Sequence, residues 1–450
     1  MKEFDGLNTW ERRGLLLFAV IVLLFGALVT YRSAYGHRRM GDVNMLFRAA
    51  WYSRLGGTEL YTFQSDNNLN YHYPPTFAIL LAPFAHPPAE VASSFTMPLG
   101  VSVTLWYFLN LTFLILAVHL LASTLESALS TPTLPYGRRW WLLRLVPVLV
   151  CLVDLGTTLN QGQVTIVLLL LITLSLRAMI QNQRFVSGLW LGLAISIKLF
   201  PAFLFLVPLW RRDFRAIGGI ALSLVLGLIV LPSIVYGPKQ TIDLYQQLQD
   251  VLIEPAFGWD EDFSRHDQLF STSGPTSQSL MYAITNILQL YSIEQYTTPP
   301  TLARLLHWGL GGVLTLITLL TFHSTAHHTS SGGNAPRTVL FAGSLCLLMV
   351  ALCPVSHKHY LMLSLPLVMA LLVYHRLPSG YPGYPLNLLL PIYLATSILS
   401  SLPWLDVLKD QCLPLGGILL LWVGSIWTGS RIALGDELTS CPPQGLCSSI

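Results

Sequence analysis

The chain has 450 residues, 53% hydrophobic and only 10% charged, with a formal net charge of +3. Soluble domains carry about 25% charged residues, so this composition excludes a soluble globular protein and describes an integral membrane one. So small a net charge gives no footing for a nucleic-acid partner.

Apolar runs of roughly 17–25 residues, each able to cross a bilayer, recur along the chain. They lie at 14–31, 98–123, 141–157, 161–179, 214–236, 302–322, 337–353, 359–375, 385–402 and 413–430. Lipid cannot satisfy backbone polar groups, so these are helices. The expected class is an all-α polytopic membrane protein with about 10–12 membrane helices. The first run follows Lys2, Arg12 and Arg13 and lacks a small-residue cleavage site, so it reads as a retained anchor with its amino terminus inside.

Residues 186–209 are apolar but do not fit one crossing. Arg177 and Arg184 precede them, and Arg211, Arg212 and Arg215 follow. The positive-inside rule places both flanks in the cytoplasm. Lys198 and Pro201 sit at the middle, where proline removes a backbone donor. The expectation is a re-entrant pair of short or tilted helices with Lys198 at its apex. The first loop (32–97), the turn at 158–161, the stretch 237–301 and the segment 354–358 then face outside. Residues 76–92 lie at the outer leaflet without crossing, because Pro74, Pro75, Pro83, Pro87 and Pro88 punctuate them. The chain divides into a membrane module (1–236), an external loop (237–301), and carboxy-terminal helices with a short tail (302–450).

Within the first loop, Val43, Leu46, Phe47, Ala50 and Trp51 recur at helical spacing, predicting an interfacial amphipathic helix capped by Asp42 and ended by Gly56-Gly57. Asp42 is either a plain cap or a carboxylate placed to deprotonate an alcohol. The loop also holds Arg32, Arg38, Arg39, Arg48 and Arg54, against the charge rule; they snorkel to headgroups or meet a phosphate-bearing substrate. Tyr71-His72-Tyr73-Pro74-Pro75 is a stiff turn whose rings are interfacial anchors or a saccharide platform.

Asn160, Gln161 and Gln163 form an amide-rich turn suited to hydroxyls, or a simple polar hairpin. Asp154, just before it, is ionisable within a membrane segment. Lys198 needs a partner at its depth: a phosphate, or a carboxylate such as Asp154. Ser356-His357-Lys358-His359-Tyr360 crowds two imidazoles and an ammonium at the start of a helix, which favours an anion over a metal because ligand-spaced carboxylates or cysteines are missing. Asp243, Asp250, Glu254, Asp260, Glu261, Asp262 and Asp267 make the 237–301 stretch acidic, a solvated face or an acceptor-binding cover. Cys151 and Cys346 read as inert packing thiols, Cys441 and Cys447 as a tail pair able to bridge only on an oxidising side, and 330–334 as a flexible connector.

Taken together, these pieces resemble glycosyltransferase family 87. The resemblance rests on Asp42 with Ala49-Ala50, Gly56 and Tyr61; Tyr73-Pro74-Pro75 with Pro83-Phe84; Gly162-Gln163-Val164; Gly192-Leu193-Ala194 with Lys198 and Pro201; and Pro354 with Ser356 and His359. It implies the GT-C membrane fold and transfer of a sugar, mannose foremost, from a polyprenyl-phosphate donor to a lipid-linked or glycan acceptor. It further implies a site on the extracytoplasmic side of a bacterial cytoplasmic membrane. Asp42 is then the general base of a single inverting displacement. Lys198, His359, Lys358 and Arg48 contact the donor phosphate, and Tyr73, His72, Asn160, Gln161, Gln163 and Asp154 contact sugar or acceptor, with no metal and no cofactor. The chain departs from the family pattern at Thr165 and His357 and in its arginine-rich first loop. The alternatives are a transporter or flippase of lipid-linked sugars, and another lipid-dependent glycan ligase or polymerase.

Overall fold

A computed structural model describes residues 7–34, 41–66, 69–88, 91, 96–127, 133–257, 277–292, 299–323, 335–354, 356–376, 386–405 and 412–440. The amino-terminal half comprises α1 (Thr9–Ala34), α2 (Gly41–Arg54), α3 (Pro75–Leu80), α4 (Leu99–Glu126), α5 (Arg138–Val150), α6 (Leu152–Gln161), α7 (Thr165–Ile180) and α8 (Arg184–Ile197). The rest comprises α9 (Leu206–Trp210), α10 (Phe214–Tyr236), α11 (Pro238–Leu248), α12 (Leu280–Leu290), α13 (Thr301–Thr321), α14 (Ala335–Leu352), α15 (Leu365–Arg376), α16 (Leu386–Leu399) and α17 (Leu413–Ser440).

Among the described residues, six helices are long and apolar enough to cross a membrane, seven if α5 and α6 count as one bent span. The regular elements of the described residues are all helices, and the chain is an integral membrane protein. At its centre stands α14, wholly buried. By contrast α1 is peripheral, tied to α4 by Tyr107, whose hydroxyl donates to the Val22 carbonyl at 2.8 Å.

The expected single span 141–157 is instead two helices meeting at 66° around Cys151. Pro147 lies one turn before the break and supplies no backbone donor there. The bend turns α6 across the molecule, toward α16 and the segment after α14.

The rise and return expected over 186–209 are seen. Gly188 meets Ala216, Gly192 meets Ile220 and Ser223, and Ser196 meets Gly227. Partner positions advance together, so α8 and α10 run parallel and the chain must return between them. Gly188, Gly192 and Gly227 let the two helices approach more closely than a Cβ at those positions would allow. The return begins at Lys198, whose extended backbone (φ −149, ψ 133) ends α8, and continues as a 3-10 helix over Phe200–Phe205 and then α9. Both arms are roughly 20 Å long, short of a 30 Å hydrocarbon core. Arg184 and Asp213, at the two feet, lie 3.9 Å apart.

Two stretches differ from expectation. The first loop does not float on a surface: α2 is buried over most of its length, with Phe47 stacked on Phe84 (5.5 Å) and edge-on to Trp106 (6.2 Å). Part of the presumed external loop is helical, since α11 continues through a π turn (Gln249–Ile253) into Glu254–Phe257 and carries Asp243, Asp250 and Glu254. Asp260, Glu261, Asp262, Asp267, Arg38, Arg39, the 330–334 connector, Cys441 and Cys447 lie outside the described residues.

Candidate active site

Asp42 sits in the first turn of α2 rather than at its cap, because the helix already begins at Gly41. The far end of α2 stops at Arg54, and Gly56 and Gly57 take φ values of +93 and +78 that favour glycine. The chain then wraps back over α2. Tyr61 Oη donates to the Tyr73 carbonyl (2.8 Å) and Tyr71 Oη to the Pro74 carbonyl (2.9 Å), locking the Tyr-Pro-Pro turn. Thr76 Oγ1 anchors α3 to the Gly227 carbonyl (2.6 Å), which the π turn Val225–Val230 of α10 leaves exposed.

The rings of Tyr61, Tyr71, Tyr73 and Phe77 pack on one another at 5.6–5.8 Å and are buried. They are core, not an open saccharide platform. What Tyr73 presents is its hydroxyl, which accepts from Lys198 Nζ (3.2 Å) and donates to Gln163 Oε1 (3.4 Å). Gln163 is held by the turn at Gly162, a left-handed cap of α6 (φ 65), and Trp106 Nε1 donates to the Gly162 carbonyl (2.8 Å).

Lys198 is the junction. Its ammonium also donates to Tyr360 Oη (2.7 Å) and lies over the rings of Tyr360 (4.4 Å), Tyr73 (4.6 Å) and Phe200 (5.6 Å). An ammonium out of water requires such donors' partners and aromatic faces. The suggested pairing with Asp154 is not formed. Instead Asp42 lies within electrostatic reach of Lys198, Tyr73 and Tyr360. Burial pushes the half-buried Asp42 carboxyl from the ordinary 3.8 up to about 6, with the Lys198 cation opposing the rise. Burial, then the Asp42 charge, also raises the Tyr73 phenol, so it stays protonated and able to donate.

His359 and Tyr360 enter on a 3-10 helix, Lys358–Ser364, that leads into α15. The two rings meet edge-to-face at 4.3 Å, and His357 stacks on His359 at 5.5 Å. His359 is buried, and its Nε2 has no hydrogen-bond partner among the described residues. Gln278 N donates to the Ser356 carbonyl, so the segment before α12 is pinned beside this cluster.

Asp42, Tyr73, Gln163, Lys198 and His359 therefore converge through the loop, the amide turn, the re-entrant break and the late 3-10 helix. Others do not. Lys358 turns away, donating to the Ser400 carbonyl and to Ser401 Oγ (2.9 Å). Arg48 is buried and paired with Asp66 Oδ1 at 3.0 Å, while Asn44 Nδ2 reaches the other oxygen at 3.2 Å. Asp154 is fully buried under α16, accepting from Tyr393 Oη (3.1 Å) and Ser397 Oγ (3.3 Å). Asn160 is exposed, and Gln161 and His72 are half-buried beside the amide turn and the Tyr-Pro-Pro turn. Sequence reading gave no role to Tyr360, 162 positions from Lys198. It also missed Cys353, which lies within electrostatic reach of Lys198 and Tyr360. Among the described residues no group of three or more His, Cys, Asp and Glu is placed to hold a metal ion.

The fold and the site define a polytopic helical membrane protein whose charged centre is assembled from a loop helix, a re-entrant lysine and a late histidine–tyrosine pair. The chain belongs to glycosyltransferase family 87, whose sequence profile matches residues 71–374. Asp42 lies ahead of that stretch. The chain is similar to a polyprenol-phosphate-mannose-dependent alpha-(1-2)-phosphatidylinositol mannoside mannosyltransferase of Mycobacterium tuberculosis, 28% identical over 48% of this chain and 52% of the relative. The Mycolicibacterium smegmatis protein of the same description is 30% identical over 39% of each. The chain thus spans about half or less of these relatives. The solved structure of ArnT from Cupriavidus metallidurans bound to undecaprenyl phosphate aligns over 95% of this chain and 81% of its own, at 13% identity and a TM-score of 0.36.

Proposed function

We propose that the chain is a membrane glycosyltransferase of GT-C type that moves mannose from a polyprenyl-phosphate donor to a lipid-linked or glycan hydroxyl, on the extracytoplasmic side of a bacterial cytoplasmic membrane. The observation that carries this is the placement of Asp42 within reach of the Lys198–Tyr73–Tyr360 centre, a half-buried carboxylate beside a half-buried cation held by two phenols. Family membership and the relatives' printed donor support the substrate class.

In this reading the acceptor oxygen attacks C1 of the sugar, the C1–O bond to phosphate breaks, and the electron pair leaves with the polyprenyl phosphate. Asp42 receives the acceptor's proton. Its raised pKa makes it a stronger base than an ordinary carboxylate while leaving it ionised at neutral pH. Lys198 and the open Nε2 of His359 take the phosphate oxygens and stabilise the leaving charge. Lys358 and Arg48 have other partners, so the phosphate role passes to these two. One displacement inverts the anomeric centre. Tyr73, Gln163 and Gln161 then face the sugar or acceptor hydroxyls.

Membranes containing the chain, supplied with radiolabelled polyprenyl-phosphate-mannose, should transfer label to an acceptor. Label that crosses the bilayer unchanged would make the chain a transporter, and label polymerised without that donor would make it another glycan enzyme. Cysteine-accessibility labelling should place positions 42 and 359 on the same, extracytoplasmic face; opposite faces would refute the site.

A further inference from the structure

The buried network around Asp154 belongs to no step of the proposed reaction, yet it touches the segment that carries His359 and Tyr360. Helix α6 and the Cys151 before it meet this 3-10 helix directly at two points and through Tyr393 of α16 at a third. Cys151 Sγ and Ser364 Oγ are 3.4 Å apart at one end. At the other, the one proton of Thr158 Oγ1 is shared between the Asp154 carbonyl one turn back (2.7 Å) and the His359 carbonyl (3.2 Å). Between them, Asp154 Oδ2 accepts from Tyr393 Oη, and that hydroxyl also lies 3.2 Å from the Leu361 carbonyl and 3.0 Å from Ser364 Oγ. All of these side chains are buried. The 3-10 form leaves weaker hydrogen bonds within the segment than an α-helix would, so outside partners fix its orientation. The same α6 ends at the turn that presents Gln163 to Tyr73.

We propose that Asp154, through Tyr393, is a positioning residue that sets the orientation of His359 and Tyr360 toward Lys198. It acts as a hydrogen-bond acceptor and not as a charge. This rests on the reading of Lys198 and His359 as donor-phosphate groups. Oδ2 takes two hydroxyl donors, a task an amide oxygen can also perform, while Oδ1 is buried with no hydrogen-bond partner among the described residues. A sugar-binding or proton-transferring carboxylate would instead need its negative charge.

The test compares Asp154→Asn, Asp154→Leu, Tyr393→Phe and His359→Ala in the full chain, measuring KM for polyprenyl-phosphate-mannose, KM for acceptor, and kcat. Asp154→Asn should stay within about twofold of the parent. Asp154→Leu and Tyr393→Phe should raise donor KM by roughly five- to tenfold, with acceptor KM unchanged, because the phosphate groups are misaimed. Tyr393→Phe removes one oxygen and keeps the ring, so it reports even if Asp154→Leu does not fold. On a His359→Ala background, Tyr393→Phe should raise donor KM by a smaller factor than it does in the parent. A loss in Asp154→Asn as large as in Asp154→Leu would overturn the inference, as would Tyr393→Phe lowering kcat with both KM values unchanged. If His359→Ala itself leaves donor KM unchanged, the phosphate reading fails, and the positioning claim with it. If His359→Ala raises donor KM and Tyr393→Phe does not, only the positioning claim fails.

Discussion

Asp42→Asn separates a catalytic carboxylate from a structural one, because the two roles predict opposite changes in stability. The carboxyl titrates near 3.8 ordinarily and near 6 in the folded chain, with burial as the main cause. The folded state therefore holds this proton more tightly than the unfolded state. Below pH 3.8 the group has no effect. Between 3.8 and 6 the cost of keeping a desolvated charge builds up, and above 6 it is complete. Two pKa units correspond to about 3 kcal/mol, an upper bound because the half-buried group retains some water. Asparagine keeps the shape and never ionises. The variant should be about 1–3 kcal/mol more stable than the parent near pH 7.5 and equal to it near pH 3.5. Transfer should fall by roughly 10²–10⁴-fold. The parent's rate should rise through about pH 6, as Asp42 loses its proton. Thermal unfolding of detergent-solubilised protein at the two pH values, and label transfer at saturating donor, measure both halves. Turnover within about threefold of the parent would remove Asp42 as the base. A variant less stable than the parent near neutral pH would show that the carboxylate is not held against a desolvation cost.

The other centres give distinct outcomes. Lys198→Met should raise donor KM by about tenfold or more, with acceptor KM unchanged, since a charge-assisted hydrogen bond contributes about 1.5–3 kcal/mol; an unaltered donor KM would refute the phosphate role. Arg48→Met removes the cationic partner of Asp66, which keeps Asn44, and should lower stability by about 1–3 kcal/mol by thermal unfolding, leaving donor KM as in the parent; a raised KM would return Arg48 to the site. Gly188→Leu should prevent α8 and α10 from closing and abolish the monodisperse peak on size exclusion, because Ala216 occupies the space a Cβ needs. Gly218→Leu, with open space around its Cα, should behave as the parent, and equal behaviour of the two would contradict the packing.

Much of this was written in the linear chain. Apolar length gives the helices, since lipid allows the backbone no other partner. Arginines on both flanks of 186–209, with Lys198 and Pro201 between them, give the reversal of the chain seen there, because a cost in charge placement depends on composition alone. What sequence could not decide was which polar group meets which. Tyr73 looked like a ring for a sugar, and packing makes it a hydroxyl for Lys198. Arg48 looked like a phosphate ligand until Asp66, 18 residues on, claimed it. Asp154 looked like a site residue until the bend at Cys151 carried it under α16, against Tyr393, 239 positions away. Local pattern fixes an element because its hydrogen bonds close within a few residues. A buried polar group must instead find a partner wherever the folded chain brings one, and only the tertiary structure decides that.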